Sequence, residues 1–320
     1  KKIYLMQKGN NLFIVLWLVF LIFLGYFIGV LIKKEPMISG SGIPQVEGVL
    51  LRYFSMNWWK ILIGKIAGSI LSIGAGLSLG NEGPSIQIGA AVAKGYCETF
   101  KKKKLEEKFL ITSGASAGLA AAFNAPLSGV MFSLEEIHKN FSPVVLTSAM
   151  AASITADVIS KYFFGMKPIF NFQGISPLPL QSYHYLIILG IILGLLGAVF
   201  NYSMLKAKDL YSMQKWLPEH LRPVFPFIIA GVLGLLLPEV LGGGHELIAS
   251  MVNLSYSLNI LMLILVVKFM FTMISSGSGA PGGVLVPLLV IGALIGSIYG
   301  NVLSDVFSFN REYVKNLIIL

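Results

Sequence analysis

GNEGP, residues 80–84, places the acidic Glu82 beside helix-breaking residues, between the apolar stretches 61–79 and 85–93. A carboxylate in a membrane-embedded region is energetically costly, so it marks a functional site by default. Glycine and proline interrupt a helix, and non-helical backbone at membrane depth is tolerated only where it is buried in protein or lines a cavity. The motif therefore predicts a polar site inside a membrane-embedded fold.

The composition around this motif is that of a membrane protein. Of 320 residues, 55% are hydrophobic and 12% are charged, and the mean hydropathy is +0.78. A soluble domain carries roughly 25% charged residues. The apolar content excludes a disordered chain, and the single cysteine, Cys97, excludes a disulfide scaffold. Residues 12–32 hold no charge and are long enough to cross a bilayer. We therefore expect a multi-pass helical protein of the cell membrane.

The net charge of +9 is best explained by membrane topology. Residues 101–104 are all lysine and lie between apolar segments, which is typical of a cytoplasmic loop that follows the positive-inside rule. No basic face with interleaved aromatic residues is present, so a nucleic-acid partner is not expected. The four histidines lack metal-ligand spacing, and no Ser/His/Asp or Cys/His arrangement indicates an enzyme. The sequence predicts no metal and no cofactor.

Three breaks within apolar sequence indicate an anion site. They are GSGIP at residues 40–44, GNEGP at residues 80–84, and the stretch 282–287. A helix that begins inside the membrane presents free backbone N–H groups and the positive end of its dipole, which suits an anion. Glycine lets the backbone approach the ion closely, and Ser41 adds a hydroxyl donor.

The two halves of the chain show the same order of features. Each half has a Gly-rich loop, then a lysine in an apolar stretch, then a second Gly/Pro break: residues 40–44, Lys65 and 80–84, against residues 242–246, Lys268 and 279–283. Paired interrupted segments of this kind indicate an inverted-repeat transporter with a site near the bilayer midplane. We predict one transmembrane domain over residues 1–320, with a first repeat at 12–165 and a second at 180–320.

Two further interruptions bear on the fold. Residues 109–134 are uncharged but contain Asn124-Ala125-Pro126, so we expect a pair of short helices there. If this segment is re-entrant, Glu135 and Glu136 at its end face the same compartment as the lysine cluster. Residues 269–304 are also uncharged and must fold back or contain two elements, with the interruption at 277–283.

As a set, these motifs resemble the CLC family of chloride channels and chloride/proton antiporters. The matching stretches, in the family's order, are GSGIP at 40–44, GNEGP at 80–84, GLAAAFNAPL at 118–127 and GSGAPGG at 277–283. The resemblance covers roughly residues 12–310. It implies an all-α membrane protein with the CLC-type inverted-repeat fold of broken and re-entrant helices, assembled as a homodimer with one pathway per subunit.

The resemblance also implies roles for individual residues. Glu82 falls at the family's gating glutamate, which occupies an anion site when ionised and leaves it when protonated. Glu136 falls at the internal proton-transfer glutamate that is typical of antiporters. The Ser41 hydroxyl and the backbone N–H groups of Val284 and Leu285 would coordinate the anion. The neighbouring anion-binding positions are Asn81, Gly83 and Gly283.

Some residues depart from the family pattern. Asn81 stands where Arg or Lys is usual, and Leu285 stands where Phe is usual. Both changes leave the anion preference open between chloride and fluoride, because fluoride/proton antiporters of the same family deviate at these loops. The serine at position 41 favours chloride. The family's first and last membrane helices, its late tyrosine ligand and a cytoplasmic regulatory domain are not recognisable in this sequence.

The sequence thus predicts a secondary active transporter that exchanges chloride for protons across the lipid bilayer. The alternatives are a fluoride/proton antiporter and a passive chloride channel, which flux measurements with both halides and a pH gradient would separate. A non-transporting membrane scaffold is the alternative from another class, and it would bind no anion at Ser41, Val284 and Leu285.

Overall fold

The structure, a computed structural model, describes residues 11–139, 141–166, 176–214, 217–253, 256–307 and 309–319. Helices make up most of these residues. The α-helices are α1 (Asn11–Lys34), α2 (Ile43–Leu50), α3 (Trp58–Gly74), α4 (Glu82–Thr99), α5 (Lys104–Phe123), α6 (Pro126–Phe132), α7 (Pro143–Phe164), α8 (Tyr183–Met213), α9 (Val224–Leu236), α10 (His245–Asn253), α11 (Leu258–Gly277), α12 (Leu285–Phe307) and α13 (Val314–Ile319).

The helix lengths confirm the predicted multi-pass membrane protein. Within the described ranges, six helical segments are long and apolar enough to cross a bilayer. They comprise α1, α7, α8 and α9 with their flanking turns, together with α11 and α12. The predicted apolar span at residues 12–32 corresponds to α1. Shorter helices such as α2 and α10 lie between the long ones and begin at Gly-rich loops.

The break predicted within residues 109–134 is present, but only the second helix is short: α5 has 20 residues and α6 has 7. Helix α5 ends at Phe123, and Asn124 caps it in the left-handed conformation, with φ of 53°. Helix α6 begins at Pro126, where the missing N–H costs little because a first-turn N–H has no intrahelical partner. A π-helical turn, Ser133–His138, follows directly.

This pair of helices returns the chain to its starting side. His138, at the end of the π-helical turn, lies 3.1 Å from the Thr112 hydroxyl in the first half of α5 (Nδ1 to Oγ1). Glu135 and Glu136 therefore lie toward the end of α5 that follows the lysine cluster, as the re-entrant interpretation predicts. The second predicted interruption is also present: the uncharged run contains two elements, because α11 ends at Gly277 and α12 begins at Leu285.

The apolar core has a part for each half and a part that joins them. One buried cluster runs through the first half, from Ile38 to Ile137, and another through the second half, from Leu189 to Ile318. A third cluster joins side chains of both halves, including Leu79 and Phe271. This shared core holds the Gly-rich loops of the two halves against each other.

Candidate functional site: an anion-type site at converging helix ends

The predicted helix breaks meet at one place through backbone hydrogen bonds. Gly80 and Gly283 each donate an N–H to the other's carbonyl oxygen, at 2.8 and 2.7 Å. The Gly40 N–H donates to Gly279 O, and the Gly282 N–H donates to Gly40 O, both at 3.0 Å. Two loops of the first half are thus bonded to one loop of the second half. The pairing brings the first residues of α4 and α12 together.

Glu82 lies at the centre of this junction. It is the first residue of α4 and is only 2% exposed. Its Oε1 accepts a hydrogen bond of 3.1 Å from the backbone N–H of Val286, in the first turn of α12. The other carboxylate oxygen, Oε2, is buried and has no hydrogen-bond partner among the described residues. The carboxylate therefore occupies the electropositive end of a helix from the opposite half of the chain.

The glycine at position 80 leaves room for the Glu82 carboxylate. A Cβ atom at Gly80 would overlap both carboxylate oxygens of Glu82. Any larger residue there would have to displace the carboxylate or separate the bonded loops. The close approach of backbone and carboxylate therefore depends on the absence of a side chain.

Other predicted anion-binding residues surround this carboxylate. Gly83 and Gly283 are buried, and a Cβ on Gly283 would lie 3.0 Å from the Gly83 N atom. A Cβ on Gly83 would lie 2.8 Å from the Ser41 Cβ. Ser41, before α2, is half-buried, and its hydroxyl oxygen accepts from the Ile43 N–H at 3.4 Å.

The remaining predicted positions differ in their surroundings. Val284 is half-buried and Leu285 is 38% exposed; they lie at the start of α12, where backbone N–H groups have no intrahelical acceptor. The Asn81 side chain is exposed and makes no side-chain cap to α4. Asn81 contributes its carbonyl oxygen instead, which accepts from the Ser85 N–H at 2.9 Å.

Two buried lysines hold the Gly-rich loops in matching ways. Lys65 donates from Nζ to the carbonyl oxygens of Ile38 and Gly40, at 2.9 and 2.7 Å. Lys268 donates from Nζ to those of Val240 and Gly242, at 2.9 and 2.6 Å. Both side chains are 0% exposed. The equivalent contacts in the two halves support the interpretation of the chain as an internal repeat.

A hydroxyl group one helical turn after each lysine extends this correspondence. Ser69 donates to Lys65 O at 2.6 Å, and Thr272 donates to Lys268 O at 2.7 Å. Thr272 also lies 2.8 Å from Ser78 across the junction (Oγ1 to Oγ). The hydroxyl groups of Ser69 and Thr272, buried in α3 and α11, are therefore hydrogen-bonded, as burial favours.

Sequence reasoning missed three contributors to this site. Val286 binds Glu82 through its backbone, so its side chain gives no signal. Lys65 and Lys268 were recognised as matching positions, but their bonds to the loop carbonyls were not foreseen. A signal for that role exists in the sequence, because a lysine within an apolar stretch needs acceptors, and a Gly-rich loop offers carbonyl oxygens.

Glu136 lies apart from this junction, on the π-helical turn. Its side chain is exposed, as is that of Glu135. Lys139, just beyond the turn, forms an ion pair with Glu47 of α2. The hydrogen bond from Lys139 to Glu47 raises the pKa of this lysine above its ordinary value. The ion pair joins the end of the turn to the helix that begins at Ser41's loop.

The fold and the candidate site together define a helical membrane protein built from interrupted helices around a buried carboxylate. A family model described as voltage gated chloride channel matches residues 24–320. The chain therefore belongs to this family, the CLC family, as the sequence motifs predicted.

Relatives of this chain include exchange transporters. The H(+)/Cl(-) exchange transporter ClcA of Citrobacter koseri is 34% identical over 286 residues, which cover 86% of this chain and 59% of the relative. The transporter of the same name from Salmonella paratyphi B is 33% identical over 311 residues, covering 92% of this chain and 64% of the relative. The chain thus spans about three fifths of the length of these relatives.

Solved structures share the fold. A slow cyanobacterial Cl-/H+ antiporter superposes with a TM-score of 0.92 at 29% identity, and the match covers 99% of this chain and 76% of that one. A CLC-type fluoride/proton antiporter gives a TM-score of 0.78 at 24% identity, covering 99% and 78%. The second likeness concerns the fold alone. Together they confirm the predicted CLC-type helical architecture.

We predict that replacing Lys65 with Met destabilises the protein. The change removes both hydrogen bonds to the loop before α2. The Gly40 oxygen keeps its bond from the Gly282 N–H, but the Ile38 oxygen is left without a donor, which costs about 1–3 kcal/mol. The thermal unfolding midpoint of the purified protein in detergent should fall by several degrees. Lys60→Met is the matched control, because Lys60 is exposed on the same helix, and its midpoint should stay within a degree or two. Equal midpoints for the two variants would contradict the role assigned to Lys65.

Proposed function

We propose that this protein exchanges chloride for protons across the membrane. One observation carries the proposal: the buried carboxylate of Glu82 accepts the Val286 N–H at the start of α12, where an anion would bind. The relatives named H(+)/Cl(-) exchange transporters and the similarity to a Cl-/H+ antiporter support it.

Competition for one set of N–H groups would couple the two ions. An ionised carboxylate is a strong acceptor of the Val286 N–H, because charge-assisted hydrogen bonds are about twice as strong as neutral ones. A proton added to a Glu82 oxygen removes the negative charge and weakens this bond. Chloride can then take the vacated N–H groups, and it must leave before the deprotonated carboxylate returns. In each cycle the site is thus occupied in turn by the anion, while Glu82 carries a proton, and by the carboxylate, once the proton has left.

Glycine-lined backbone and Ser41 would complete the anion site. Gly83 and Gly283 bring the two helix starts together without side chains between them, and the Ser41 loop packs directly against Gly83. An anion in this place is surrounded by helix N-termini and buried from solvent, where such dipoles are screened least. We assign Val284 and Leu285 N–H groups to the same anion, since they precede Val286 on α12.

Glu136 would transfer protons between the cytoplasm and Glu82. Its exposed carboxylate lies on the side of the membrane that the lysine cluster assigns to the cytoplasm. A group that delivers protons inward needs contact with water and need not touch the anion. If the proton and the anion follow different routes on the cytoplasmic side, the two glutamates must lie apart, as they do here.

The Glu82→Gln variant is predicted to uncouple the two ions. Glutamine keeps the size of the side chain but neither ionises nor carries a proton, so chloride would pass without exchange. In proteoliposomes, the proton movement driven by a chloride gradient should fall at least tenfold, while chloride flux persists and no longer depends on pH. A chloride electrode and a pH electrode, read together, measure both. Proton movement at the wild-type level would contradict the role of Glu82.

The same recording separates the alternatives in the wild-type protein. Chloride flux without any proton movement would identify a passive channel and overturn the exchange mechanism. Proton-coupled flux that is much faster with fluoride than with chloride would identify a fluoride/proton antiporter instead. Our proposal requires coupled movement of chloride and protons.

The Glu136→Gln variant is predicted to stop proton movement while chloride flux continues. The change removes a proton acceptor and leaves the anion site at Glu82 intact. Glu135→Gln is a matched control, since Glu135 is the adjacent exposed carboxylate on the same turn, and it should keep both fluxes near wild type. Unchanged proton movement in Glu136→Gln would refute the assignment of the internal transfer site. The homodimer that the family resemblance implies stays a prediction.

A further inference from the structure

A cavity of about 620 Å³ lies away from the anion site, near the lysine cluster. It is formed by the end of α2 and the following loop, the last turns of α4, and the first turns of α5. Four cationic side chains line it, together with two aromatic residues of the loop: Arg52, Lys94, Lys104, Lys108, Tyr53 and Phe54. We call this cavity the basic pocket.

Three of the four cations are available to a ligand. Lys94 is neutralised within the protein, because its Nζ lies 2.6 Å from Glu107 Oε1 and 3.3 Å from Glu98 Oε1. Arg52, Lys104 and Lys108 form no ion pair with the residues that the structure describes. Glu98 and Glu107 also line the pocket, so its four cations and two carboxylates leave a formal excess of two positive charges.

The surroundings of the pocket place it at the level of lipid headgroups. Tyr53 and Phe54 are 78% and 52% exposed, and Trp59 and Phe100 nearby are 54% and 60% exposed. Exposed aromatic side chains of this kind collect at the membrane–water interface. The lining is also partly apolar, through Val49, Leu50, Met56 and Ile111, which suits the glycerol and upper acyl region of a lipid better than a fully hydrated anion.

We propose that the basic pocket binds the phosphate group of an anionic phospholipid from the cytoplasmic leaflet. Arg52, Lys104 and Lys108 contact the phosphate, and the exposed rings of Tyr53 and Phe54 pack against the lipid above it. Basic pockets between membrane helices on the cytoplasmic side are suited to such headgroups. The proposal concerns a structural lipid and is independent of which ions the protein transports.

A lipid titration tests this site. The thermal unfolding midpoint of the purified protein in neutral detergent is measured as phosphatidylglycerol or phosphatidylcholine is added, since a ligand of the folded state raises the midpoint. Phosphatidylglycerol should raise it and phosphatidylcholine should not. The Arg52→Gln/Lys104→Gln/Lys108→Gln variant should need at least tenfold more phosphatidylglycerol for the same shift. Lys104→Gln alone, on an exposed side chain, should need several-fold more, and it serves as the readout if the triple variant does not fold.

The matched control removes equal charge from the adjacent segment. Lys101→Gln/Lys102→Gln/Lys103→Gln changes three lysines that do not line the pocket, and its lipid response should stay within twofold of wild type. An equal loss of lipid response in this control would show that the effect comes from general surface charge, and it would overturn the proposed lipid site. Equal shifts with both lipids would do the same. If soluble glycerol 3-phosphate raised the wild-type midpoint but not that of the pocket variants, the ligand would be a free phosphate, and the lipid assignment would be wrong.

Discussion

A carboxylate in an apolar interior must find compensating donors, and in this protein it finds a helix end. Glu82 is 2% exposed and bonds the backbone N–H of Val286 at 3.1 Å. Burying a charge without a partner costs several kcal/mol, so the arrangement requires that α12 begin where α4 begins. That requirement explains the interrupted helices, the glycine at position 80 and the bonded loops. The same N–H groups would suit an inorganic anion, which is what the proposed exchange requires.

The buried lysines solve the complementary problem for the loops. A loop at membrane depth exposes carbonyl oxygens that neither water nor a helix satisfies. Lys65 and Lys268 each satisfy two of these oxygens, one pair per half. One residue type in one position per half thus supports the backbone of both loops.

Much of this architecture follows from local sequence signals. Asn124 and Pro126 mark the break between α5 and α6 because a left-handed cap and a first-turn proline are local preferences. The position of Glu82 at a helix start could likewise be predicted from its motif. Its bond to Val286 could not, since the two residues are 204 positions apart and the donor is backbone. Long-range pairing of this kind depends on how the two halves pack, which no local pattern encodes.

The most direct measurement is the anomalous scattering of bromide in crystals of the protein and of a variant with Gln at position 82. The account predicts that ionised Glu82 excludes bromide from the start of α12, and that the variant shows a bromide peak within hydrogen-bonding distance of the Val286 N–H. A peak at that position in the wild-type protein with the carboxylate still bound, or no peak there in the variant at saturating bromide, would contradict the shared site.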